Sequence, residues 1–261
     1  MRPKPKIIDA HVHLDDRIEG PAINAVSELD QALEKTGVLR ALLLQLDIHR
    51  WSAKEVGEAV SQSERIVAFI NVHPYAPDAA QQLTDGIEKF GFIGLKLHPR
   101  FQNFDIADQR TASLVRHAGE IGVPVLIDAF PDGDWLMANF DPKAFASLAK
   151  ACPSTRIIFA HFGGHHCIDM MMLAKRVPNM YFNLSYSWLY YRGSSVPTDL
   201  AYCCRSMRYE RIFFGTDYPD RPMDVSIRDS LSLFEKEGIT DDDLDRLIFS
   251  NARDFFGWND L

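Results

Sequence analysis

Short apolar runs rich in Val, Ile, Leu and Phe alternate along the chain with longer amphipathic stretches in which apolar residues return every three or four positions. The runs fall at 6–11, 38–46, 66–72, 92–98, 123–130, 156–160, 180–184 and 211–215, and each gap between them can hold a crossover helix. The clearest helical patterns are 25–35, 78–90, 107–121 and 141–151, with Gly37, Gly91, Gly122 and Pro153 as stop signals. After the eighth run, 225–237 and 241–255 read as two more helices, the second introduced by Thr240 and Asp241-Asp242-Asp243, acids that suit a helix N-terminus. Apolar runs with few polar interruptions imply strands buried on both faces, as in a parallel barrel. Eight βα units match the roughly 250 residues of an α/β fold of the (β/α)8 TIM-barrel type, and no linker or second hydrophobic rhythm divides residues 1–261 into more than one domain. A doubly wound open sheet is the alternative, but the first turn lacks GxGxxG and no GxxxxGK[ST] occurs.

Composition narrows the class. The 261 residues are 46% hydrophobic, 25% charged and 11% aromatic, which excludes a disordered, collagenous or coiled-coil chain. Twenty-eight Lys and Arg against 36 Asp and Glu leave a formal charge of −8, which argues against duplex nucleic acid or an anionic membrane surface as partner and makes a small-molecule substrate the default. The opening Met-Arg-Pro-Lys-Pro-Lys runs directly into a strand-like segment, and no stretch approaches the roughly 20 apolar residues of a bilayer span, so a cytoplasmic location is expected. Cys152, Cys167, Cys203 and Cys204 contain no CxxC pair and read as reduced thiols, and a homo-oligomer stays open.

A parallel barrel gathers its chemistry at the C-terminal ends of its strands. The first run ends Asp9-Ala10-His11-Val12-His13; side chains alternate faces, so His11 and His13 point the same way and can present two imidazoles to one cation. The fourth run ends Lys96-Leu97-His98-Pro99-Arg100, with Lys96 and His98 on one face, and a lysine inside a barrel is costly unless it is used. The sixth delivers His161 to Phe162-Gly163-Gly164, and the eighth delivers Asp217 directly after Ile-Phe-Phe-Gly-Thr, where burial demands a cation or a proton. Strands eight and one are neighbours in a closed barrel, so Asp217 is expected beside His11 and His13.

Five segments in order, Ile8-Asp9-Ala10-His11-Val12-His13, Gly94-Leu95-Lys96-Leu97-His98-Pro99, Ala160-His161-Phe162-Gly163-Gly164, Gly215-Thr216-Asp217-Tyr218-Pro219 and Asn251-Ala252-Arg253-Asp254-Phe255-Phe256, make the chain resemble the amidohydrolase superfamily. The resemblance spans nearly the whole chain and is to the branch that holds aminocarboxymuconate-semialdehyde decarboxylase with related hydrolases, hydratases and decarboxylases. It implies His11, His13 and Asp217 as metal ligands and His161 nearby for acid/base or polarising work. That family usually places a histidine ligand on the fifth strand, whereas this chain has Pro124-Val125-Leu126-Ile127-Asp128. Asp128 could be an oxygen ligand, could orient another ligand, or could mark a barrel that works without metal, as lactonase relatives do. A two-metal site bridged by carboxylated Lys96 is disfavoured by the missing histidine, which leaves Lys96 as a partner for a substrate carboxylate.

The expected activity is hydrolysis of a small carboxylated substrate by a water activated on one divalent ion, zinc before manganese. Asp217 would accept the proton of that water and pass it on, while His161 would polarise the carbonyl. Lys96, His98 and Arg100 would receive the substrate carboxylate. Nonoxidative decarboxylation or hydration of an unsaturated or aromatic acid, a metal-independent lactonase, and a noncatalytic binding barrel are the alternatives. Tyr218, Trp188, Tyr190, Tyr191 and Arg192 could line the mouth, although packing is the simpler role for the aromatic ones. His49, His73 and His117 read as loop or helix residues, His165 as an outside candidate for the pocket, and Asp241-Asp242-Asp243 as a solvated helix start.

Overall fold

The computed structural model describes residues 5–138, 140–239 and 241–261. Eight parallel strands run in sequence order, β1 (Ile7–Val12), β2 (Val38–Leu44), β3 (Ile66–Asn71), β4 (Leu95–Leu97), β5 (Val125–Ile127), β6 (Ile157–Phe159), β7 (Met180–Asn183) and β8 (Ile212–Phe213). β8 returns to β1 through Ala10 N donating to the Phe214 carbonyl at 2.9 Å, Asp217 N to that of His11 at 3.0 Å, and His13 N to that of Tyr218 at 2.7 Å. The ring is thereby closed as a TIM barrel, with a bridge between Val12 and Tyr218. Closure leaves no free sheet edge and brings the ends of the first and last strands into contact.

Apart from β1, the strands are shorter than the apolar runs that announce them, and the last residues of those runs leave the ladder to lead into the loops at the barrel mouth. Lys96 and His98 illustrate the alternation: Leu95 and Leu97 pack into the apolar core, while the two polar side chains line the cavity at the barrel mouth. The helix Ala22–Thr36 ends at Gly37 and Ala79–Phe90 at Gly91, both left-handed caps. Gly122 follows the end of Gln109–Glu120, and Pro153 lies just beyond Pro142–Ala151.

The expected single helix over 241–255 divides into Asp241–Asp245, a π-helical turn over Arg246–Ser250 and Asn251–Phe256, and its expected start at Thr240 lies outside the described residues. The π turn frees the Leu247 carbonyl to accept from Phe214 N at 2.8 Å, and Asn251 Nδ2 reaches the carbonyls of Tyr209 and Ile212 at 2.6 and 2.8 Å. This segment clamps β8 and the loop that carries Asp217. All four cysteines are free and buried. Among the described residues, no helix is long and apolar enough to cross a membrane.

Candidate active site

A cavity of about 250 Å³ opens at the C-terminal end of the barrel, and its walls include His11, His13, Lys96, His98, Arg100, Asp128, His161 and Asp217. The eight residues read from the sequence as metal ligands, acid/base groups or carboxylate partners therefore meet in one place, delivered by β1, β4, β5, β6 and β8. Within it the side chains divide into two groups.

The first group is His11, His13 and Asp217. His11 Nε2 lies 3.0 Å from Asp217 Oδ1 and 3.2 Å from His13 Nε2, and His13 Nε2 lies 3.6 Å from the same Oδ1. These three donor atoms form a compact triangle that could hold one cation. A tetrahedral ion with bonds of about 2.1 Å has ligand atoms about 3.4 Å apart, so the triangle matches one face of such a shell. His13 Nδ1–H donates to the Leu44 carbonyl at 2.8 Å, which leaves the Nε2 lone pair free for an ion. Burial pushes His11 down to about 3, against the pull of Asp217, so the imidazole is neutral at working pH. Burial would raise Asp217, but its interactions with His11 and His13 outweigh this and hold it well below the usual carboxylate range.

Beneath this triangle sits Asp9, whose carboxylate accepts from the Thr216 hydroxyl at 2.6 Å, Thr216 N at 3.0 Å and His11 N at 3.1 Å. Burial pushes it up to about 7 against those hydrogen bonds. Asp9 ties the β1 and β8 ends together and so sets the distance between the two halves of the ligand set. Gly215 is required for the same closeness: a Cβ there would stand 2.7 Å from His11 Cβ and 3.1 Å from Ser185 Cβ.

The second group surrounds Asp128. Arg100 Nε donates to Asp128 Oδ2 at 3.1 Å, and the same guanidinium also pairs with Asp132. His161 Nε2 and His98 Nε2 lie 3.1 and 3.7 Å from Asp128 Oδ1, an oxygen that has no hydrogen-bond partner among the described residues. Burial works to raise Asp128, but His98, His161 and Arg100 hold it well below the ordinary range. Asp128 stands outside the compact triangle of donors and already has a cation of its own.

His98 accepts Phe101 N at 3.3 Å through Nδ1, capping the short helix Pro99–Gln102, and burial lowers its basicity strongly. Lys96 is fully buried and pairs with no carboxylate within 4 Å among the described residues; burial pushes its ammonium down to about 8, opposed by the charges of Asp128 and Asp217. His161 sits in a left-handed turn in which residues 161–164 all have positive φ, from 51° to 71°. Its Nδ1–H donates to the Ser185 carbonyl at 2.9 Å, and its Nε2 faces the cavity beside Asp128.

Other parts of the cavity were not expected from sequence. His49, Asp16, Leu46 and Asp220 line it from loops, and Phe101 lines it from the short helix Pro99–Gln102. Asn183 and Ser185, which hold His11 and His161, follow an apolar run at alternating positions, the same signal that singles out His11 and His13. Trp188 is 1% exposed and packs edge-on against Phe234 at 4.9 Å, away from the mouth. Tyr190 and Tyr191 pack around Phe130 at 5.0 and 6.0 Å, and His165 meets the Tyr191 hydroxyl at 3.1 Å; none of them borders the cavity. His73 is held by the Gln102 carbonyl at 2.8 Å and His117 by Thr84 at 2.9 Å.

No curated protein matches the sequence. Solved structures with the same fold include a probable 2-pyrone-4,6-dicarboxylic acid hydrolase from Acinetobacter baumannii with citric acid bound, at 16% identity and a TM-score of 0.71, covering 97% of this chain and 99% of that one. A 5-carboxyvanillate decarboxylase from Sphingomonas paucimobilis is 12% identical with a TM-score of 0.68, again covering 97% and 99%. An amidohydrolase from Burkholderia multivorans with bound zinc is 14% identical, with a TM-score of 0.66 and the same coverage. At these identities the likeness is one of fold. A family model described as amidohydrolase matches residues 8–258, from the strand that carries His11 and His13 through the helix that clamps β8: the chain belongs to the amidohydrolase family and is an enzyme.

Proposed function

We propose that the protein is a metal-dependent hydrolase of a small carboxylated substrate, such as a lactone, ester or amide of an organic acid. The observation that carries this reading is the donor triangle of His11, His13 and Asp217 set in one small cavity with the unpaired, buried ammonium of Lys96. The donor set of two imidazoles and a carboxylate suits zinc first and manganese second. When bound, such an ion supplies Lewis acidity and an activated water at neutral pH.

The chain's own residues do the rest. Asp217 Oδ1 faces the two imidazoles, while Oδ2 has no hydrogen-bond partner among the described residues and can take a proton from the attacking water. The proton that Asp217 takes is the one passed on to the leaving group, while His161, its ring held by Nδ1, faces the substrate with Nε2 beside the anionic Asp128. Lys96 receives the substrate carboxylate, and Arg100 and His98 extend the same wall. The cavity is smaller than the roughly 300–1,000 Å³ of sites for drug-sized ligands, which favours a compact acid.

Nonoxidative decarboxylation is the second reading, favoured by the decarboxylase among the structural neighbours and by a carboxylate-binding wall that faces the donor triangle. Purified protein supplied with zinc would be assayed on carboxylated lactones, esters and amides by acid release, and on carboxylated aromatic acids by carbon dioxide release. Hydrolysis that stops on chelation and returns with zinc supports the first reading, and carbon dioxide release supports the second. Activity that survives complete chelation overturns the metal requirement in both.

A further inference from the structure

The end of β7 carries two buried polar side chains, Asn183 and Ser185, that the chemistry proposed for the cavity does not use. Their hydrogen bonds fix which nitrogen of His11 carries the proton. Asn183 Oδ1 accepts from His161 N at 3.1 Å and from the Ser185 hydroxyl at 2.7 Å, so the amide can be oriented only one way and Nδ2 must face His11 Nδ1, at 3.0 Å. An amide nitrogen only donates. His11 Nδ1 is therefore the acceptor, and the ring proton sits on Nε2, 3.0 Å from Asp217 Oδ1.

A metal ion at His11 Nε2 needs the opposite arrangement, with the proton on Nδ1. That proton would face the amide of Asn183 and could be accepted only by Ser185 Oγ, 2.9 Å away. Ser185 has the capacity: its own proton goes to Asn183, one lone pair meets His161 Nδ1 at 3.2 Å, and the other is open to His11. Asn183 and Ser185 are both fully buried, so water is no substitute. His13 differs, since its Nδ1–H is held permanently by the Leu44 carbonyl.

We infer that Ser185 is a positioning residue that accepts the Nδ1 proton of His11 and thereby lets His11 change tautomer to become a metal ligand, while Asn183 favours the metal-free tautomer. This rests on the metal site proposed for His11, His13 and Asp217. Ser185→Ala leaves that proton without an acceptor and should weaken the ion by about 10–100-fold, the usual effect of removing a partner that orients a ligand. Asn183→Asp replaces the opposing amide donor by a carboxylate acceptor, so in that background the loss of Ser185 should cost little.

The test is Co²⁺ affinity, by chelator competition and visible absorption, on the full chain, Ser185→Ala, Asn183→Asp, the double variant and His11→Ala. The expected result is one tight Co²⁺ in the parent, lost in His11→Ala, with Ser185→Ala weakening it about 10–100-fold alone and scarcely at all beside Asn183→Asp. A merely structural Ser185 would give the same loss in both backgrounds, and that result, or parent-like binding by Ser185→Ala, would overturn the inference. A parent that binds no Co²⁺, or a His11→Ala variant that binds it as the parent does, would instead remove the metal reading itself and the inference with it.

Discussion

Two aspartates at the ends of strands divide the cavity between them, Asp128 fully buried and Asp217 16% exposed, and they differ above all in the charges that their neighbours supply. Asp217 is met by two imidazoles, one of them neutral through burial, so its charge is left for a cation that the side chains do not provide. Asp128 is met by the Arg100 guanidinium, a permanent cation, with His98 and His161 alongside. A carboxylate in a barrel mouth is therefore not a metal ligand by position alone. What its neighbours have already neutralised decides its role.

The largest effect should come from the Asp217 side. His11→Ala or Asp217→Asn should lower kcat/KM about a thousandfold or more, roughly 4 kcal/mol of transition-state stabilisation, with little loss of fold. A steady-state assay beside a thermal melt separates the two, and near-parental activity in Asp217→Asn would show that its carboxylate holds no ion that the reaction needs.

Lys96 comes next, and its two effects have opposite signs. Its folded-state value is displaced from 10.5 to about 8, so its burial destabilises the protein by up to about 3 kcal/mol below pH 8. Between pH 8 and 10.5 the unfolded chain binds the proton that the folded chain has released, so this contribution makes stability rise with pH across that window. Lys96→Met should be more stable than the parent at pH 7, should lose the rise above pH 8, and should raise KM for a carboxylated substrate. The parent's KM should itself climb as pH passes 8 and the ammonium is lost. Denaturant titrations at pH 7 and pH 9.5 check the stability half, and a less stable Lys96→Met would show that the ammonium is paired in solution.

Arg100→Gln addresses the other aspartate. Removing the cation from a fully buried carboxylate should cost about 3 kcal/mol, the lower end for a broken buried pair because His98 and His161 remain nearby. Asp132→Asn should be the mildest change, below about 1 kcal/mol, since that carboxylate is 35% exposed and solvent screens the pair. Equal losses from the two substitutions would mean that Arg100 serves Asp132 rather than Asp128.

The barrel was legible because periodicity is a property of each segment alone: eight apolar runs with helical gaps suffice to suggest it, and strand alternation pairs His11 with His13 and Lys96 with His98. The ends of the elements were less so. The last residues of β4 and β5 leave the ladder for the site, and the final helix breaks at a π turn because Leu247 and Asn251 bond to β8, a tertiary demand without local signal. Asp128 shows the limit most clearly. Its position on the fifth strand could be read from Pro124-Val125-Leu126-Ile127, but its pairing with Arg100 depends on how the fourth-strand loop turns back over the cavity. Asn183 and Ser185 passed unnoticed because neither ionises, although they sit at the same alternating positions as the residues they support.

In the proposed site one divalent ion is held by His11, His13 and Asp217. Elemental analysis of the purified protein beside His11→Ala, with activity measured on the same preparations, tests it directly. The expected result is about one equivalent of a transition metal per chain in the parent, lost together with activity in the variant. A parent that is free of metal and fully active would contradict it.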